Sequence, residues 1–184
     1  MTYEMTIAGV TRQLPLRPVN KDLMIGAFVI FGDVEMTVAA AGALLKKLPE
    51  YDYMVAPEAK AIPLIHEMAR QSGRNDYFLV RKTPKLYMNG VFETEVRSIT
   101  TATIQKLYMD GADAAKLKGK RVIIIDDVIS TGESLKAVEE LVERAGGIVA
   151  GRVAILAEGD AAKRDDIIFL EKLPLFNGKG EPID

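Results

Sequence analysis

Apolar positions recur with two different periods along the middle of the chain, and the alternation of those periods predicts its architecture. Val38, Ala41, Leu44, Leu45 and Leu48 fall on one face of a helix expected over 34–48, with Pro49 as its stop. Tyr53-Met54-Val55 then reads as a short strand, and 62–71 as a second helix closed by Ser72-Gly73. An extended run resumes at Tyr77 to Val80. Val122-Ile123-Ile124-Ile125 is continuously apolar, as a central parallel strand buried on both faces must be. Leu135, Val138, Leu141, Val142 and Ala145 return to helical spacing before Gly146-Gly147, and 148–156 reads as a further strand. Strands alternating with helices predict an α/β domain with a central, mostly parallel sheet flanked by helices.

Three stretches break the pattern. From Arg81 to Lys106 the sequence turns polar and threonine-rich, which predicts a long hairpin or a mobile loop; loops of that length in compact domains are often functional. The segments 1–32 and 157–184 match neither period and are expected to fold together as a small cap, or hood. The whole chain, 1–184, is thus read as one domain, with a core of about 33–156.

Composition narrows the function without naming it. A 184-residue chain is long enough to bury roughly 70% of its unfolded surface in one core. It contains no cysteine, which excludes a disulfide framework, a thiolate metal site and a cysteine nucleophile. A net charge of −2 with mixed signs gives no basic field, so neither nucleic acid nor a membrane is an expected partner. No run approaches the ~20 apolar residues of a membrane span, and the first residues do not resemble a signal peptide; a soluble, cytoplasmic protein is the expectation. His66, the single histidine, lies in an apolar helix pattern and is expected to pack rather than to catalyse.

The chemistry gathers at Asp126-Asp127-Val128-Ile129-Ser130-Thr131-Gly132-Glu133-Ser134, between a buried strand and a helix start, where open α/β sheets bind ligands. Hydroxyls, a glycine and a helix N-terminus together suit a phosphate monoester. Asp126 and Asp127 would repel that phosphate but accept hydrogen bonds from two vicinal sugar hydroxyls, so the junction reads as a ribose-phosphate cradle. The competing reading, a Walker B strand followed by an ordinary capped helix, requires a phosphate loop. Neither G-x-x-x-x-G-K-[ST] nor a strand-linked G-x-G-x-x-G occurs in the chain.

VIIIDDVISTGES, from Val122 to Ser134, resembles the motif by which type I phosphoribosyltransferases bind phosphoribosyl diphosphate (PRPP). Ala56-Pro57-Glu58-Ala59-Lys60-Ala61 is similar to the diphosphate loop of the adenine-specific members, and Arg81-Lys82 with Lys85-Leu86 to their arginine-lysine element. The resemblance implies the type I phosphoribosyltransferase fold and transfer of ribose 5-phosphate from PRPP to a purine, in purine salvage. It implies that Ser130, Thr131, Gly132, Glu133 and Ser134 hold the 5-phosphate and that Asp126 and Asp127 hold the ribose. Glu58, Ala59, Lys60, Arg81, Lys82 and Lys85 would hold the diphosphate. It further implies Mg2+ carried with PRPP, with no metal ligand identifiable in the chain, and a homodimer.

The likeness is imperfect. Lys60-Ala61 stands where the family has Arg-Gly, exchanging a planar fork for a point charge. Ile30, Phe31 and Gly32 resemble the segment that holds the purine, with Gly32 in place of an arginine. No carboxylate occupies Ile99 to Thr103, where a loop glutamate is usual, so no general base is identified. Glu95 to Thr100 is closer to bacterial xanthine phosphoribosyltransferases, which brings in 6-oxopurines as alternative acceptors. Glu158, at the end of the last strand, is followed by Gly159 rather than by the lysine those enzymes use, and Lys163 is the nearest substitute. Adenine is therefore the favoured acceptor. A non-enzymatic PRPP sensor is the rival from another class, weakened by the lack of room for a winged helix before Ala27.

Overall fold

The computed structural model describes residues 1–97 and 104–183. Three layers position the site. Strands β4 (Tyr53–Pro57), β5 (Phe78–Val80), β8 (Arg121–Ile129), β9 (Ile148–Glu158) and β10 (Ile167–Leu173) form a five-stranded sheet of order β10-β9-β8-β4-β5. Every neighbouring pair in it is parallel. Helices α1 (Val34–Leu45) and α2 (Ile62–Gln71) cover one face; α3 (Gly111–Lys116) and α4 (Glu133–Arg144) belong to the other. Strand β8 shows why its sequence is apolar without a break. Ile123 and Ile125 join the cluster that contains Met36, Leu44, Leu64 and Met68, while Val122 and Ile124 join Leu135, Val138, Leu141 and Val142 on the opposite side.

Helix α1 is shorter than the apolar spacing predicts, ending at Leu45, and its buried face is Met36, Thr37, Ala40, Ala41 and Leu44. Val38, expected inside, is exposed. The face that packs is the one meeting Leu64, Met68 and Ile123, and a window of α1 sequence does not contain those partners. The helix start is anchored as well: Asp33 caps Met36 N and is held bidentately by Arg12 of β2 (Val10–Pro18), at 2.7 and 2.9 Å.

Strands β1 (Thr2–Ile7), β2, β3 (Leu23–Gly26) and β11 (Leu175–Asn177) make an antiparallel sheet joining the two ends of the chain. The tail differs from the expected boundary near 157, because β10 continues the parallel core sheet before the chain crosses to the hood at β11. Between Arg81 and Lys106 the structure has an antiparallel hairpin of β6 (Phe92–Arg97) and β7 (Ile104–Met109). Residues 98–103, which include the whole segment scanned for a general base, lie outside the described residues. Among the described residues no helix is long and apolar enough to cross a membrane.

Candidate active site

The order of the parallel sheet reverses between β4 and β8, which lead through α2 and α4 to strands on opposite sides. The carboxyl ends of these two neighbours therefore open the crevice where such sheets bind ligands. Glu58, Ala59 and Lys60 follow β4, and Asp126 and Asp127 come from β8. The two aspartates lie within the strand itself rather than on a loop after it, since β8 runs on to Ile129. Period-2 burial explains the extension: Asp127 is 2% exposed, and Ile129 beyond it is buried in the α4-side cluster.

A cavity of about 410 Å3 brings together Glu58, Ala59, Lys60, Lys82, Asp126, Asp127 and Ser134. Beside it a smaller recess of about 120 Å3 is lined by Ser130, Thr131, Gly132 and Ser134, with Asp126 shared between the two. Gly132 caps α4 with φ of 79°, a left-handed conformation that most side chains resist, and this turns the chain into the helix. Glu133 is the first residue of α4, its N–H aimed at Thr131 Oγ1 across a long 3.4 Å.

The aspartates differ in environment. Asp127 N donates to Asp126 Oδ1 at 2.9 Å. Burial first, and then the adjacent Asp127 charge, push the Asp126 carboxyl up to about 7. Asp127 Oδ2 is buried and meets Lys60 Nζ at 2.9 Å, an ionic contact without the alignment of a hydrogen bond. A carboxylate oxygen in that position has acceptor capacity left for a ligand. Lys60 thus stands between the two groups of residues that the sequence assigned to different parts of one ligand.

Glu58 does not present a free carboxylate. Its Oε1 accepts from Lys82 N at 2.7 Å, and its Oε2 lies 3.1 Å from Arg81 Nε. Arg81 is tied to the hairpin by paired backbone bonds with Tyr108 and does not line the cavity. Lys85 is also outside it, with Nζ on Thr83 Oγ1 at 3.1 Å. Ile30, Phe31, Gly32 and Glu158 do not line the cavity either. Ile30 is 1% exposed in the core, whereas Phe31 is 51% exposed and Gly32 has φ of 78°. Glu158 ends β9, buried, and Lys163 Nζ is engaged by Asp160 at 2.7 Å. His66 packs edge-on against Tyr77, far from this chemistry in kind. Residue patterns did not reveal Leu107, Ala137 and Val138 as cavity walls. They are ordinary core residues of β7 and α4, and only the packing brings them there.

A ligand crevice at the sheet's reversal, a recess lined by hydroxyls at the start of α4 and a paired acidic strand end fit a transferase that forms nucleotides. The phosphoribosyl transferase domain family matches residues 33–178, and the chain belongs to it. It is an enzyme of the type I phosphoribosyltransferase fold. The adenine phosphoribosyltransferase of Kosmotoga olearia is 33% identical over 141 residues, covering 70% of this chain and 77% of that protein. The hypoxanthine/guanine phosphoribosyltransferase of Methanocella paludicola is 36% identical over 115 residues, 62% of this chain and 56% of its own length. The crystal structure of adenine phosphoribosyltransferase from Thermoanaerobacter pseudethanolicus superposes with a TM-score of 0.70 over 87% of this chain and 95% of that one. At 24% identity it speaks for the fold.

Proposed function

We propose that this enzyme transfers ribose 5-phosphate from PRPP to a ring nitrogen of a purine, with adenine as the favoured acceptor, in purine salvage. The observation that carries the reading is the buried, incompletely satisfied Asp127 carboxylate, in a cavity that also holds Lys60 and Lys82 and that shares Asp126 with a smaller recess beside it. The ribose diol donates to Asp126 and Asp127, the 5-phosphate enters the recess formed by Ser130 to Ser134, and Lys60 and Lys82 receive the diphosphate. Glu58 orients Arg81 and Lys82 rather than meeting the diphosphate, since a carboxylate there would repel it.

The reaction breaks the C1–O bond to diphosphate and forms a C1–N bond to the base, whose N–H proton is lost to an acceptor. Positive charge grows on the sugar while negative charge grows on the leaving group. The aspartate pair stabilises the first and the lysines the second. No cluster of three or more carboxylates or histidines suited to a metal ion occurs among the described residues. That donor set fits Mg2+ arriving on the substrate's phosphates and meeting at most the aspartate pair. The ion would screen the diphosphate charge.

The enzyme acts, in this reading, as a homodimer. Val29, Phe31, Val34 and Val38 form an exposed apolar run where the hood meets α1, the kind of surface a second copy covers. Adenine is favoured over 6-oxopurines because no lysine adjoins Glu158 and Lys163 is already paired.

The test supplies PRPP, magnesium and each of adenine, hypoxanthine, guanine and xanthine, and measures monophosphate. Adenine is expected to give the highest kcat/KM. Asp127→Asn should remain folded and bind PRPP about 10- to 150-fold more weakly, the loss of a hydrogen bond to a charged acceptor. A higher kcat/KM for a 6-oxopurine overturns the base assignment. PRPP binding with no product from any base would instead make the protein a sensor.

A further inference from the structure

One cation outside the recognised motif packs against Gly132, a wall of the recess at the start of α4. Arg164 follows the 3-10 turn η1 (Gly159–Lys163), and Asp166 grips it as a fork: Nε donates to Oδ1 and Nη2 to Oδ2, both at 2.8 Å. Asp166 is backed by Arg152, whose Nε lies 3.5 Å from Oδ2, and Arg152 is in turn bonded to Glu139 of α4, Nη2 to Oε2 at 3.2 Å. The plane of the Arg164 guanidinium is therefore set by a chain of charged contacts reaching the helix that begins at the recess. Such a fork is pre-organised, so a further contact loses little side-chain entropy.

What this arrangement leaves over is Nη1, which makes no hydrogen bond among the described residues. Its position is fixed by what a side chain at Gly132 would meet: a β-carbon there would lie 2.7 Å from Arg164 Nη1. The guanidinium thus packs directly against the left-handed glycine that caps α4. The recess itself is lined by no lysine or arginine, and its one charged wall is Asp126. Lys60 and Lys82 serve the larger cavity instead. A phosphate dianion bound there would face the α4 N-terminus, hydroxyls and a carboxylate, with no cation from the motif to balance it.

We propose that Arg164 is a specificity-determining residue for the phosphate monoester, with Nη1 donating to the 5-phosphate held by Ser130 to Ser134. Gly132 is then glycine for two reasons, its positive φ and the space Nη1 occupies. The inference rests on the reading of this recess as the 5-phosphate site, and Asp166 is the positioning residue that keeps the fork aimed. Because Asp166 already offsets the Arg164 charge, the contribution is directional, through one N–H group, more than a bare field.

Calorimetric titration with ribose 5-phosphate and, separately, with inorganic diphosphate tests this on the parent, Arg164→Gln, Arg164→Lys and Thr131→Val, with melting curves as the check on folding. Arg164→Gln should weaken ribose 5-phosphate about 10-fold or more, as expected for a charge-assisted bond, and leave diphosphate unchanged. Arg164→Lys should recover part of the affinity, since the charge returns without the fork. If Thr131→Val weakens ribose 5-phosphate while both Arg164 variants stay within twofold of the parent, the Arg164 assignment is wrong and the recess reading survives. If Thr131→Val and the Arg164 variants all bind as the parent does, the recess reading fails with it. Equal loss for both ligands in a folded Arg164 variant would mark a structural role and overturn the proposal.

Discussion

At the scale of the residue, Asp126 records a conflict between stability and function. Its carboxyl titrates at about 7 in the fold against an ordinary 3.8, so the folded protein prefers the protonated form. Folding is therefore unpenalised below pH 4. The penalty grows as pH rises from there through 7, because the unfolded chain has released a proton that the folded one keeps, and it is constant above 7. Asp126→Asn should accordingly melt higher than the parent at neutral pH, by at least the ~2–4 °C that 1 kcal/mol gives in a domain this size. The advantage should vanish near pH 4 and level off above pH 7. Melting curves across pH 4–8.5 check it, and a pH-independent difference would mean that Asp126 is not the group being titrated. The types and order of these residues were legible in the sequence, as was their position beside the hydroxyl-bearing residues Ser130, Thr131 and Ser134. Their inequality was not, because desolvation depends on neighbours distant in the chain.

At the scale of the element, a buried hydroxyl links the β6–β7 hairpin to α4, beside the apolar packing of Leu107 and Phe92. Thr94 Oγ1 donates to Glu140 Oε1 at 3.2 Å and accepts from Arg144 Nη1 at 2.7 Å, on a side chain 1% exposed. Thr94→Val keeps the shape but removes two hydrogen bonds to charged partners, of which Arg144 is exposed and Glu140 half-buried, so the cost is about 1 kcal/mol. A lower denaturant midpoint with an unchanged m-value is the expected result, and Thr94→Ser should restore most of it. An unchanged midpoint for Thr94→Val would show that water replaces the hydroxyl. Polar, threonine-rich composition suggested a long hairpin or a mobile loop in this region, and the structure has the hairpin. It could not show that one of those threonines faces inward, since its partners lie 46 and 50 residues further along. The same limit explains α1, whose periodicity was visible while its buried face depended on packing against α2 and the sheet.

At the scale of the whole molecule, the hood and the core are one connected chain of decisions. The hood sheet takes β11 from the C-terminus, and Arg12 of β2 anchors Asp33 at the head of α1, so hood and core are joined by backbone pairing and by charge. The exposed run at that junction predicts association. The solution mass should be twice the 20.2 kDa of the chain, and Val34→Glu, at a position 72% exposed, should shift it toward the monomer without lowering the melting temperature of the fold. Light scattering on both proteins measures this. A parent that stays monomeric at micromolar concentration would remove the dimer from the reading.

The sequence by itself determined the alternation of strands and helices, the buried central strand and the residue types at its carboxyl end. Those properties are written in local period and residue type, which survive without knowledge of neighbours. Only the tertiary structure decided that β10 belongs to the core sheet and that the aspartates lie inside β8. It also decided that Glu58 turns to Arg81 and Lys82, and that Arg164 comes to rest against Gly132. Each of these depends on pairing or packing between segments far apart in the chain, where geometry and desolvation, rather than local pattern, select the partner.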